Sequence, residues 1–167
     1  NLNSLLQQKL NLPGADRAEL SVGERGYRVG DRVIHRRNNY ELNVFNGDIG
    51  RITAIDNTEL RLEVSFFPDG RQVGYSRDQI AELELAYAIT VHRAPRSPLD
   101  VVILPALGQH IRKLFRNLLY TGLTRGRRLA VLVGSRQALA MAVRNRDTSR
   151  RQTALARLIG DYAGGAV

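Results

Sequence analysis

The chain of 167 residues has no cysteine and no tryptophan, one methionine at Met141, and only two lysines among its 25 basic residues. Without cysteine there is neither a disulfide nor a thiolate zinc site, which fits a reducing compartment and points to the cytoplasm. No apolar run approaches the roughly 20 residues that cross a bilayer as a helix, so no membrane association is expected. His35, His92 and His110 stand far apart with no HExxH spacing, so no metal site is expected either. Lys9 and Lys113 follow glutamine and arginine, so the GxxxxGK[ST] phosphate loop, which needs its lysine after glycine, is missing. No apolar strand ends in paired carboxylates that could hold magnesium, and Asp100 precedes its strand. GSR at 134 to 136 lacks the glycine that would complete a nucleophile elbow. These absences argue against nucleotide hydrolysis by this chain alone. With its one methionine at 141 and an opening of NLNSLLQQKL, the chain reads as a piece of a longer polypeptide.

What is present is globular in composition, 43% hydrophobic and 25% charged. The net charge of +9 is unevenly spread. Residues 1 to 109 carry 13 Lys/Arg against 14 Asp/Glu, and residues 110 to 167 carry 12 against 2. A basic C-terminal third attracts polyanions through phosphate neutralisation and counterion release, which makes nucleic acid or nucleotide the partner to test. The competing explanation is genomic base composition, since 23 of the basic residues are arginine.

Leu2, Leu5, Leu6 and Leu10, ended by Pro13-Gly14, predict a short amphipathic helix. From Tyr27 the pattern turns to short strands, RVIHRR, DIGRITAID, LRLEVSFF and RQVGYS, with turn signals at Asn46-Gly47, Asp56-Asn57 and Pro68-Asp69-Gly70. This predicts a small barrel or curled sheet. After Asp78 the period becomes helical through IAELELAYAITVH. DVVILPAL and RRLAVLVG read as strands buried on both faces of a parallel sheet. Between them HIRKLFRNLLYTGL reads as an amphipathic helix with a basic outer face. SRQALAMAVRN begins another helix with Ser135 as N-cap, and a last helix is expected from about Thr148 to Ile159. Helix alternating with strand gives a doubly wound α/β layer carrying a β-rich insertion.

Two segments rise above this background. In YTGLTRGRR, residues 120 to 128, a helix ends at Thr124-Arg125 ahead of a strand. An arginine at a sheet rim can be offered to a phosphate as a fork of donors, or can simply satisfy helix-end carbonyls. In AYAITVHRAPRSPLD, residues 86 to 100, two prolines break regular structure beside Thr90, His92 and Arg93. These three could bind a sugar-phosphate backbone through hydroxyl, imidazole and guanidinium, or could be ordinary polar residues at a helix end.

Taken together, VGDRV at 29 to 33, RNNY at 37 to 40, NGDIG at 46 to 50, YAITVHRAPRSPLD at 87 to 100, RNLLYTGLTRG at 116 to 126 and VLVG at 131 to 134 resemble, in order and spacing, the C-terminal half of a superfamily 1 DNA helicase of the RecD/TraA type. The resemblance implies a second RecA-like domain, residues 1 to 43 and 83 to 167, with a small Src-homology-3-like β-barrel inserted at about 44 to 82. It implies that the phosphate loop belongs to an N-terminal helicase domain of the same polypeptide, that ATP with Mg2+ is used only by the full-length protein, and that partners include single-stranded DNA and other recombination or repair subunits. Arg125 then corresponds to the catalytic arginine reaching the γ-phosphate across a cleft, with Ser97 and Thr124 also on the nucleotide side. Thr90, His92, Arg93, Asn38 and Asn39 correspond to DNA contacts. Family members move 5′ to 3′.

The sequence departs from the family at the proline junction. Where the family has Gln, Gly, Ser and Glu, this chain has Pro95, Arg96, Ser97 and Pro98, and Gly126 stands where alanine is usual. Loss of the glycine and the glutamate touches nucleotide coupling, whereas the DNA end of the loop is kept. Two readings follow: the motor half of an ATP-dependent helicase, or a non-catalytic nucleic-acid-binding or protein-docking module derived from one. A third, an unrelated α/β enzyme, lacks a catalytic constellation.

Overall fold

A computed structural model describes residues 1 to 14, 18 to 94, 99 to 108 and 115 to 145. The chain divides into two compact units, Asn1–Arg96 and Ser97–Val167.

The first unit is built on a five-stranded antiparallel sheet. Helix α1 (Leu2–Leu10) precedes a hairpin of β1 (Glu19–Val22) and β2 (Arg25–Arg28), whose two-residue turn places Gly23 at φ +61°. Then come β3 (Arg32–His35), β4 (Ile49–Asp56), β5 (Arg61–Phe66), β6 (Gln72–Tyr75), one helical turn α2 (Arg77–Ile80) and β7 (Leu83–Leu85), with sheet order β6-β5-β4-β3-β7. The segment 44 to 82 supplies β4 to β6, one edge and the middle of the sheet, and β3 and then β7 extend it beyond β4. Strict alternation buries Leu62, Val64 and Phe66 along β5 and Val73 and Tyr75 along β6. They meet Leu20, Tyr27, Val33, Val44, Ile52, Ile80 and Leu83 in one core.

The helical period read after Asp78 gives way here. Residues 83 to 85 are a strand, because Leu83, Glu84 and Leu85 pair with His35, Ile34 and Val33 on β3, and sheet pairing overrides a short run's helix preference. From Leu85 to Ala94 the only helical geometry is a 3₁₀ turn at Val91–Arg93.

Helix α1 forms where expected but turns its polar side inward. Asn1 caps it, accepting from the Asn3 amide. Asn3, Gln7 and Asn11, spaced at i, i+4 and i+8, face the protein, while Leu2, Leu5 and Leu10 stay exposed, Leu5 at 60%. The attraction is the carboxylate of Asp31, which is fully buried. Its Oδ2 accepts from Gln7 Nε2 at 2.6 Å and from the Arg28 amide at 2.8 Å, and its Oδ1 accepts from Asn11 Nδ2 at 2.7 Å and the Tyr87 hydroxyl at 2.8 Å. A carboxylate taken out of water is very costly unless its lone pairs find donors, and these four supply them. The next residue along, Ala88, is bound twice by Asn3, which accepts from its amide at 2.7 Å and donates to its carbonyl at 3.0 Å.

The second unit holds β8 (Leu99–Ala106), α3 (Arg116–Leu123), β9 (Gly126–Gly134) and α4 (Arg136–Arg144). The parallel pairing of β8 with β9 matches the expectation, with Val101 to Ala106 beside Leu129 to Gly134. Burial on both faces does not: Val101, Ile103, Leu129 and Val133 are exposed, Ile103 at 65%. A parallel pair is covered only when flanking strands and helices lie on it, and among the described residues this sheet has two strands. Helix α3 packs on β8 through Gly122, where an added Cβ would come within 3.0 Å of the Leu104 side chain. Ser135 caps α4 as expected, accepting from the Ala138 amide at 3.1 Å, and Ala138 and Ala142 form its buried stripe. The expected helix 148 to 159 and residues 110 to 114 of the helix expected over 110 to 123 lie outside the described residues.

Replacing Asp31 by alanine strands four donors and should cost about 3 kcal/mol or more in denaturant unfolding of the first unit. Leu5→Gln, on the exposed side of α1, should change the same measurement by no more than about 0.5 kcal/mol.

Candidate nucleic-acid interface

The turn carrying Thr90, His92 and Arg93 stands on a fixed base. The Ala86 amide donates to the Arg32 carbonyl at 2.7 Å, continuing β7 against β3. Tyr87 is tied to Asp31 and Ala88 to Asn3, as above. Burial first, and then the hydrogen bond to Asp31, push the Tyr87 hydroxyl up to about 12, so it remains a donor through the neutral range. The chain then leaves the surface support, and Thr90, His92 and Arg93 are all exposed. The Arg93 amide closes the 3₁₀ turn onto the Thr90 carbonyl at 2.9 Å, and the Arg93 guanidinium lies 3.1 Å from Glu84 Oε2. Hydroxyl, imidazole and guanidinium thus stand together on one short turn.

Asn38 and Asn39 lie on the loop between β3 and β4. Asn38 Oδ1 accepts from the Asn46 amide at 3.0 Å, and Asn39 Oδ1 accepts from the Leu42 amide at 3.1 Å. Asn39 Nδ2 donates to Glu82 Oε2 at 3.3 Å, and the Asn39 and Val44 backbones form a bridge. These bonds shape a loop that displays Tyr40, 79% exposed, edge-on to the exposed ring of Phe45 at 6.1 Å between centroids. Arg71 braces the loop from the β5–β6 turn, donating to the Asn43 carbonyl and lying 3.5 Å from the Asp48 carboxylate. The exposed aromatic pair escaped the sequence reading. Its signal was an aromatic at each end of a polar turn, YELNVF, between two β segments.

Under this loop lies His35, fully buried. Its Nδ1 shares a 3.2 Å hydrogen bond with the Tyr75 hydroxyl, and its Nε2 sits 3.4 Å from Glu82 Oε2 without forming a hydrogen bond. Burial outweighs the attraction of Glu82 and pulls the imidazole below its ordinary 6.5.

On the second unit, Thr124 and Arg125 form the turn from α3 into β9. The Thr124 hydroxyl donates back to the Tyr120 and Thr121 carbonyls at 2.9 and 3.1 Å. Arg125 is half-buried; its carbonyl accepts from the Leu99 amide at 2.8 Å, joining this turn to the first residue of β8. Arg127 and Arg128 follow, exposed. Ser97, with Pro95, Arg96 and Pro98, lies outside the described residues. Among the described residues no three His, Asp or Glu side chains cluster as metal ligands, and no helix is long and apolar enough to cross a membrane.

Two family models fall side by side on this architecture. The SH3 domain of ATP-dependent RecD-like DNA helicases matches residues 2 to 66, and the UvrD-like helicase C-terminal domain matches residues 85 to 133. Among curated proteins, the ATP-dependent RecD2 DNA helicase of Deinococcus radiodurans is 35% identical over 95% of this chain. The chain belongs to the RecD-like helicase family. The RecBCD enzyme subunit RecD of Mycobacterium tuberculosis is 34% identical over 71% of the chain. The chain spans about a fifth of these relatives, 21% and 20% of their lengths. Among solved structures, a Bacteroides Pif1 helicase with ADP-AlF3 and single-stranded DNA matches 99% of this chain and 43% of its own at 18% identity and a TM-score of 0.60. A Bacteroides Pif1 bound to single-stranded DNA gives 0.59 at 17% identity, covering 98% of this chain and 43% of its own. These likenesses fix the fold of the RecD-like chain: a small SH3-like sheet with the parallel pair of an incomplete RecA-like domain.

Because the buried His35 is held neutral while the unfolded chain protonates near pH 6.5, its contribution to stability is whole above about pH 6.5. It is lost as pH falls toward the lower folded value, by at most about 1.4 kcal/mol per pH unit. Urea unfolding midpoints between pH 7.5 and 5.5 should show this acid loss in the native chain, and a smaller one in His35→Gln.

Proposed function

We propose that this chain is the C-terminal motor portion of an ATP-dependent DNA helicase, gripping the backbone of single-stranded DNA and completing an ATP site against an N-terminal helicase domain of the same polypeptide. The observation that carries the reading is the turn Thr90–Arg93, three exposed polar side chains on a base fastened at Ala86, Tyr87 and Ala88. A strand is moved only by a contact that does not yield when it is pulled, and this base gives the turn such a footing. Backbone donors of this kind position nucleic acid without reading sequence. Tyr40 and Phe45 add exposed ring faces and edges on which bases can stack. The basic surplus beyond residue 110 adds long-range attraction.

Arg125 is the proposed catalytic group. A guanidinium supplied from the α3–β9 turn stabilises charge that develops on a transferring phosphoryl group, and Ser97 and Thr124 flank it on the nucleotide side. The sequence carries no phosphate loop, so the reading gives ATP and Mg2+ to the full-length protein, with its N-terminal domain present. Residues 44 to 82 are proposed as the inserted part of the barrel. One relative is an ATP-dependent DNA helicase, RecD2, and another is a subunit of the RecBCD enzyme, so recombination or repair subunits are proposed as further partners.

The replaced loop Pro95 to Pro98 favours a second reading, a module that still binds DNA but no longer couples it to hydrolysis. One experiment separates the two. The full-length protein should hydrolyse ATP under stimulation by single-stranded DNA, and Arg125→Ala should lower that turnover about a hundredfold or more. Salt-sensitive DNA binding with no hydrolysis in the unaltered protein supports the module, and unchanged turnover in Arg125→Ala removes the role given to this residue.

A further inference from the structure

Glu84 stands on the outward face of β7, opposite Ile34 of β3, and its Oε2 is approached by two guanidiniums at once. Arg93 Nη1 is 3.1 Å away and Arg36 Nε 3.4 Å away. The two arginines come from separate elements. Arg93 ends the 3₁₀ turn, and Arg36 follows β3, its amide held by the Glu82 carbonyl at 2.9 Å. Two guanidiniums, each through one nitrogen, converge on a single acceptor oxygen, and guanidinium is the side chain best matched to phosphate oxygens. All three side chains are a third or more exposed, so the carboxylate holds its arginines by a weak, solvent-screened contact that an incoming polyanion can replace.

We propose that Arg36 and Arg93 form a single phosphate clamp for the DNA backbone, kept preformed by Glu84 acting as an internal stand-in for phosphate. The clamp deepens the proposed function and rests on its DNA-binding reading; it adds Arg36 as a contact and Glu84 as the competitor that sets affinity. It joins the turn at Thr90–Arg93 to the loop that begins at Arg36 and Arg37 and carries Tyr40 and Phe45. A strand bound at the clamp therefore passes from backbone donors toward exposed rings without leaving the first unit. Glu84 also keeps two like charges together in the unbound state, which would otherwise repel one another and scatter.

The test is equilibrium binding of a fluorescein-labelled oligothymidine of 15 nucleotides to the full-length protein, by anisotropy over a range of salt. Arg36→Ala and Arg93→Ala should each weaken binding and lower the slope of log K against log salt by about 0.7, one phosphate contact each. Glu84→Gln should tighten binding about two- to fivefold at low salt, the scale of an exposed ion pair. That gain should vanish in Glu84→Gln combined with Arg36→Ala and Arg93→Ala. A gain of equal size in that triple variant would reduce Glu84 to general surface charge and overturn the clamp, as would an unchanged constant and slope in Arg36→Ala. If Arg93→Ala alone matters, the DNA-binding reading stands and the clamp falls. If the unaltered protein does not bind, both fall. Thermal unfolding of each variant, expected within a few degrees of the native chain for exposed substitutions, separates lost contacts from lost fold.

Discussion

Both oxygens of Asp31 are saturated by donors from three parts of the first unit, and the placement of the segment leading to the turn at Thr90 follows from that. Gln7 and Asn11 come from α1, the Arg28 amide from the end of the hairpin, and the Tyr87 hydroxyl from the segment that leads to Thr90. A buried carboxylate is destabilising by itself, and becomes a specific fastener only when every donor arrives together. The helix is therefore docked by hydrogen bonds and not by its leucines. Because Asp31 also accepts the Ile52 amide through its backbone carbonyl, the same residue is locked into the sheet. Helix, sheet and strap share one node.

The consequence for function is mechanical. Tyr87 and Ala88 have no freedom to shift without breaking bonds to Asp31 and Asn3, whereas the three donors that follow are in water. A rigid base with an exposed tip suits a contact that must hold a strand under load. The second unit makes the opposite impression. Its parallel pair is orderly in register from Val101 to Ala106, yet its apolar side chains stand exposed. Such a pair is the part of a larger sheet that needs further strands and helices over it, in keeping with the fifth of the relatives' length that the chain spans.

Much of this was legible in the sequence where one physical period dominates. LRLEVSFF and RQVGYS read as short strands and are β5 and β6, and Ser135 announced the start of α4. The misread elements are those where a distant partner decides. Ile80, Leu83 and Tyr87 have helical spacing, but β3 offers ladder partners to residues 83 to 85 that no local window contains. The leucines of α1 were the obvious inner face, and they lost to Gln7 and Asn11, which reach a carboxylate 24 and 20 residues away, and to Asn3, which reaches the Ala88 backbone. The candidate turn at Thr90 was found through its motif and not through its support. Arg36, Glu84 and Arg93 could not be connected at all, since their convergence depends on the β3–β7 pairing.

The claim on which the account most depends is that the strap leading to the turn at Thr90–Arg93 is fastened. The amide of Ala88, which donates to Asn3 Oδ1, reports on it directly through hydrogen exchange. The account predicts slow exchange in the native protein, at a rate near that of core amides in β5, and fast exchange in Asn3→Ala with the core amides unaffected. Exchange of Ala88 at the rate of an open loop in the native protein would contradict it.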